Sequence, residues 1–424
     1  MIFIILLMLI NLISNFTFSF LKLKSFINPL NLFTIFWIIP YLVSLLYFFD
    51  LNVTIIDFII VVCTIGFSLT FIISYHFQIP KVYSRKTRHF KIKWMKKALI
   101  FVNVVANLAF LLIIIPIISH YGFMEFIHLS SSVRYNYYVN HLHTSSILII
   151  IAMYLSAAGV FYLGFLSSEK EPMKLYHYLL FLPNILFTVL FGRRQGLAFL
   201  FVMFIIILYS KKDTSPHNKK NQKRMKKNIY SIILILLFVF LILYTYINRG
   251  YVNNSNSSFY EILNRQVQYF VSSFKALSSA LDPMSSINHM FGVNTFLPIF
   301  KVTNFLKITN IDQILIIQIE SGRNPVYIPF AYNVFTVIYD TYLDFGIIGT
   351  FVFFEIISYI SAIEYKVNSS VRNDNIFYHK LIYTFITLQI VFLAAYSVFS
   401  FSSLWYIFIF IYFIYFVSKK EELQ

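Results

Sequence analysis

Charge is scarce in this chain, and acidic charge scarcest. Of 424 residues only 12% are charged, and 17 are acidic. A soluble globular domain carries about twice that charged fraction, so a water-covered body of this length is excluded. Cysteine is nearly missing. Cys63 stands alone inside an apolar run, which rules out an intrachain disulfide and a thiolate metal site. No Asp-x-Asp motif and no glycine-rich phosphate loop occurs, so a cytosolic nucleotide-sugar enzyme or an ATPase has no support. The N-terminus also lacks the basic region and small-residue cleavage site of a signal peptide. It runs through Asn15-Phe16-Thr17-Phe18-Ser19 instead and reads as an uncleaved first span.

What the chain has in abundance is apolar surface, with 59% hydrophobic and 20% aromatic residues. About twenty apolar residues cross the hydrocarbon core of a bilayer. Runs of that kind cover residues 2–21, 31–49, 53–75, 98–119, 146–166, 176–191, 195–210, 229–247, 346–364, 381–397 and 401–418. They are too long and continuous for the alternating strands of a membrane barrel. The expected fold is all-α: a polytopic integral membrane helical bundle of about eleven transmembrane helices (10–12), with a large extracytoplasmic loop containing short helices.

The net charge of +17 is concentrated. Residues 81–97 hold eight basic and no acidic side chains, and residues 211–227 hold eight against Asp213 alone. Both stretches lie between apolar spans, so they read as cytoplasmic loops facing anionic lipid, and nucleic acid is not an expected partner. With those loops inside, Lys22, Lys24, Lys419 and Lys420 also fall inside. The N-terminus is then outside and the C-terminus cytoplasmic, in the cytoplasmic (inner) membrane of a bacterium. Three regions follow: an N-terminal membrane bundle (1–247, about eight spans), a large extracytoplasmic loop (248–325), and C-terminal membrane spans (326–424). Apolar patches at Phe259–Leu263 and Ile314–Ile319 suggest short helices lying on the membrane surface. The loop is too rich in aromatic and β-branched residues for disorder.

Three constellations carry chemistry. In Gly192-Arg193-Arg194-Gln195-Gly196 two arginines on the outer side precede a helix. A helix N-terminus favours an anion, and guanidinium forks match phosphate oxygens. A plain hairpin whose arginines snorkel to lipid phosphates would look the same. The large loop adds Arg249, at head-group depth after a span, with Arg265 and Arg323. Finally, Asp340 and Asp344 stand four apart on one helical face. There a boundary carboxylate could act as a general base or simply start a helix. His289 is a further candidate base. His141 and His143 have no carboxylate or cysteine in support, so no metal and no cofactor is expected.

In this order and spacing the residues resemble the Wzy-type polymerases of bacterial capsule and O-antigen repeat units. The matching features are Gly192 and Arg194 opening a mid-chain helix, Asn248-Arg249-Gly250 opening a long outer loop, and Asn333 followed by Tyr342-x-Asp344-Phe345-Gly346-x-x-Gly349 leading into a span. The likeness covers roughly residues 180–365. It implies an inverting, metal-independent glycosyltransferase outside the cytoplasmic membrane. Its partners would be undecaprenyl-pyrophosphate-linked oligosaccharides, beside a chain-length regulator and a flippase. It implies Arg194 and Arg249 on the donor pyrophosphate, assisted by Arg193, Arg265 and Arg323, with Asp344, His289 or Glu261 as base. An O-antigen ligase-like transferase shares these features. A non-enzymatic lipid-linked oligosaccharide flippase or transporter would carry more charge inside its spans, where Glu355 is one of few exceptions.

Overall fold

The computed structural model describes residues 1–23, 25, 27–48, 53–77, 92–123, 125, 145–168, 177, 194–209, 259–281, 290–312, 326–327, 331–332, 335–370, 376–394, 405, 407–413 and 415. Among them, five helices are long and apolar enough to cross a membrane: Ile2–Leu23, Pro29–Tyr47, Ile55–His76, Trp94–Tyr121 and Val337–Asn368. Large apolar side chains such as Phe20, Ile73, Phe101 and Ile348 stand outward along them, a surface suited to lipid. This is a helical membrane protein. The runs at 146–166, 195–210 and 381–397 form the helices Ser145–Ser168, Arg194–Tyr209 and Ile376–Phe392. The run at 176–191 apart from His177, the run at 229–247 and much of 401–418 lie outside the described residues.

The chain divides into two compact units. The first unites residues 1–87 with 258–405, and the second unites 88–257 with 406–424.

In the first unit, α1 (Ile2–Phe18) continues through a wider π turn, Ser19–Leu23. Next comes α2 (Pro29–Tyr47), which begins with Asn28 accepting the Asn31 amide at 2.9 Å and carries a second π turn at Thr34–Ile38. The helix α3 (Ile55–His76) begins where Asp57 reaches back to the Thr54 amide at 2.8 Å and receives the Tyr41 hydroxyl at 3.2 Å. At about 1.5 Å per residue its 22 residues suffice to cross the core. Buried polar side chains fasten these helices. Asn15 donates to Thr34 at 3.2 Å and to Ser68 at 3.0 Å, and Trp37 donates to Thr64 at 2.8 Å. Between helices in lipid, where hydrophobicity distinguishes little, such bonds and close packing hold the contact.

The pairings fix relative direction. Asn11 and Asn15 of α1 reach Thr64 and Ser68 of α3, so these two helices run parallel. Trp37 reaches Thr64 while Tyr41 reaches Asp57, so α2 runs opposite. A later helix, α9 (Val337–Ser370), runs parallel to α3: Ser358 donates to the Phe67 carbonyl at 2.5 Å, and Lys366 donates to the Phe77 carbonyl at 2.5 Å. Its partner α10 (Ile376–Phe392) returns antiparallel, with His379 beside Glu364 at 2.9 Å.

The second unit contains α4 (Ile92–Tyr121), α5 (Ser145–Ser168) and α6 (Arg194–Tyr209). Here α4 and α5 meet closely at Gly159, where a side chain would stand 2.7 Å from the Asn103 amide. The Tyr162 hydroxyl donates to the Ile411 carbonyl at 3.0 Å.

From the long loop, α7 (Phe259–Ala280) joins the first unit. The sequence suggests a short surface helix at Phe259–Leu263. The structure corrects this: the apolar patch is only the first turn of a 22-residue helix. Its later turns enter the bundle, with Phe274 5.0 Å from Trp37 and 5.3 Å from Tyr41. Gln268 donates to the Tyr47 hydroxyl at the end of α2. Trp37 lies midway along α2, so α7 descends beside it to about mid-depth. The short helix α8 (Leu297–Phe305) follows, and then a minimal antiparallel pair in which Val326 faces Tyr332.

Candidate functional site

The sequence places its candidate site at one end of the bundle, and the structure shows what gathers there. Two residues after Asp344, Gly346 adopts φ 67° and ψ −165°, which interrupts α9. Side-chain-bearing residues avoid this conformation, so glycine is required. The break frees the preceding turn to meet residues 290–296. Met290 and Phe291 donate their amides to the carbonyls of Leu343 and Asp344 at 3.2 and 3.1 Å.

The Asp344 carboxylate completes the junction. One oxygen accepts the Asn294 amide at 3.0 Å and the Asn294 side chain at 2.8 Å; the other accepts the Thr295 amide at 2.6 Å. These donors lie just before the start of α8, where a negative charge is favoured. The tight course of residues 291 and 292, at φ 46° and 98°, brings Gly292 under the Phe345 ring. Asp344 has no exposed surface. A general base must reach the proton it removes. Here Asp344 clamps the loop onto α9. Its neighbour Asp340 is buried as well.

Arg194 lies at the described start of α6. Glu261 and Arg265 lie in the first two turns of α7. The side chains of these three residues, and the whole of Arg193, Arg249, His289 and Arg323, lie outside the described residues. The structure therefore brings Asp344 together with Asn294 and Thr295 and leaves the arginine grouping open. Among the described residues no three His, Cys, Asp or Glu side chains gather as metal ligands would.

Two arrangements had little signal in the sequence. Glu355 sits midway along α9, receives a hydrogen bond from Thr70 of α3, and faces Gly66. At the opposite end from Asp344, Glu364 and His379 form a buried pair, and the Asn368 side chain donates to the Glu364 and His379 carbonyls at 2.8 and 3.2 Å. Lys366 lies over the Tyr75 ring at that end. Asp57 and Asp344 thus lie at one end, with α8 and its Lys301 beside Asp344, and Lys22, His76, Glu364 and Lys366 lie at the other.

Comparison of the chain with known protein families, curated proteins and solved structures finds no match.

Proposed function

We propose that this chain is a repeat-unit polymerase of the bacterial cell envelope. In this reading it moves a growing glycan from undecaprenyl pyrophosphate onto the sugar of the next lipid-linked unit, at the outer face of the cytoplasmic membrane. The observation that carries the reading is the build of the long loop. Its helix α7 descends into the bundle, and its residues 290–296 are clamped to the span opening that bears the Tyr342-x-Asp344-Phe345-Gly346 pattern. A segment anchored at both places suits a substrate platform at head-group level better than a passive linker.

The chemistry asks for a neutralised leaving group. Arg194 and Arg249 hold the donor pyrophosphate, with Arg193, Arg265 and Arg323 assisting. Preorganised guanidinium groups stabilise the diphosphate charge that develops as the glycosidic bond breaks. The acceptor hydroxyl loses its proton to Asp344, His289 or Glu261; for Asp344 this requires the clamp to open. The basic end of the first unit faces the cytoplasm.

The test is complementation of a strain lacking this protein. Arg194→Ala and Arg249→Ala reach the membrane at normal levels but leave polymer synthesis at least a hundredfold lower, the scale of losing a charged transition-state contact. Wild-type polymer from both variants would remove the arginines from the mechanism.

A further inference from the structure

The helix α8 turns a row of apolar side chains outward. Its polar side chains turn inward: the Thr303 hydroxyl contacts the Thr309 hydroxyl at 2.9 Å, and Asn304 exchanges two hydrogen bonds of 3.1 Å with the backbone of Ile311. These bonds fold the chain after the helix back onto it. Facing outward are Ile299, Val302, Phe305 and Leu306, followed by Ile308, with Phe305 85% and Ile308 71% exposed. The outward positions are spaced three and four apart, so they form one stripe along the helix. Phe291, 80% exposed, extends this surface at the clamp.

Water is a poor neighbour for that stripe, because several large apolar side chains stand together while the polar ones are consumed internally. The charges indicate the neighbour. Residues 290–312 include Lys301 and Lys307 against Asp312 alone, a net positive charge suited to anionic head groups. Position indicates it too. The stripe begins four residues after Thr295, which contacts Asp344, and three residues beyond Asp344 the lipid-facing surface of α9 opens with Ile347 and Ile348. The two apolar surfaces share one junction.

We propose that α8 and the turn after it form an interfacial anchor. The stripe Ile299–Val302–Phe305–Leu306–Ile308 lies in the bilayer at the boundary between head groups and acyl chains, with Lys301 and Lys307 toward lipid phosphates. The anchor holds the end of the long loop at a fixed depth. It stands on the geometry of α8 and its junction with α9, independently of the enzymatic reading.

The single native cysteine makes the test clean, because Cys63 is buried. A nitroxide spin label on Phe305→Cys, and separately on Leu306→Cys and Ile308→Cys, is measured in the full chain reconstituted in phosphatidylcholine–phosphatidylglycerol vesicles. Unsubstituted protein serves as the labelling blank. Collision rates are compared for oxygen, which concentrates in the bilayer, and a water-soluble nickel chelate, which does not. All three sites should favour oxygen, whereas a label at the exposed Asn310 should favour nickel. Preference for nickel at Phe305 and Ile308 would place the stripe in water and overturn the proposal. Low collision with both reagents would mean that protein covers it, from this chain or another copy, and overturns it equally.

Discussion

Asp344 holds Asn294 twice, through its backbone amide at 3.0 Å and its side-chain amide at 2.8 Å, across fifty residues of sequence. The contact ties the long loop to a membrane helix. Replacing Asp344 with Ala leaves buried N–H groups without an acceptor, at about 1–3 kcal/mol for each lost partner. The expected result is a marked loss of resistance to unfolding in mixed detergent micelles, with new protease cleavage near residues 290–296. Asp344→Asn should fare little better, because its amide would oppose a donor. An Asp344→Ala protein as stable as the parent would leave the clamp without energetic weight.

Gly346 breaks α9 at a conformation that an L side chain adopts only at a cost of about 1–3 kcal/mol. Gly346→Ala should therefore destabilise the protein and loosen the same loop, giving a cleavage pattern that matches Asp344→Ala. Gly122 also has a positive φ, but nothing crowds the place where its side chain would be. Gly122→Ala is the milder control.

At Gly66 a side chain would collide with the Glu355 carboxylate and stand 2.6 Å from the Phe351 ring. Overpacking of this kind costs about 1–3 kcal/mol. Gly66→Ala and Glu355→Ala should be coupled: the cost of Gly66→Ala falls once the carboxylate is removed, by about 0.5–3 kcal/mol in a double-mutant cycle. Simple additivity would show that the two residues do not meet.

Relative direction becomes absolute by labelling. Val53 precedes α3 at the Asp57 end, and Lys366 lies at the basic end. A membrane-impermeant maleimide applied to intact cells should label Val53→Cys and spare Lys366→Cys until the membrane is opened. The reverse pattern would invert the proposed orientation and place the loop in the cytoplasm.

Much of the bundle was legible in the sequence because lipid imposes one rule on length. The runs at 2–21, 31–49, 53–75 and 98–119 overlap the helices Ile2–Leu23, Pro29–Tyr47, Ile55–His76 and Trp94–Tyr121. The run at 346–364 begins late, since Gly346 divides α9 from a turn that starts at Val337. Two readings required tertiary contact. Asp340 and Asp344, four apart at a boundary, have the spacing of catalytic carboxylates, and only the arrival of Asn294 and Thr295 reveals a clamp. The apolar start of α7 has the pattern of a surface helix, and only the ring of Phe274 between Trp37 and Tyr41 shows that it descends. The stripe on α8 was hidden for another reason: Thr303 and Asn304 look solvent-facing until their hydrogen bonds are traced inward.

The most direct measurement is the lipid-linked oligosaccharide pool of cells lacking this protein. The account predicts undecaprenyl pyrophosphate bearing one repeat unit, accumulated on the outer leaflet, with long polymer absent. Polymer of unchanged length in those cells would contradict it, and single units trapped on the cytoplasmic leaflet would assign the protein to transport instead.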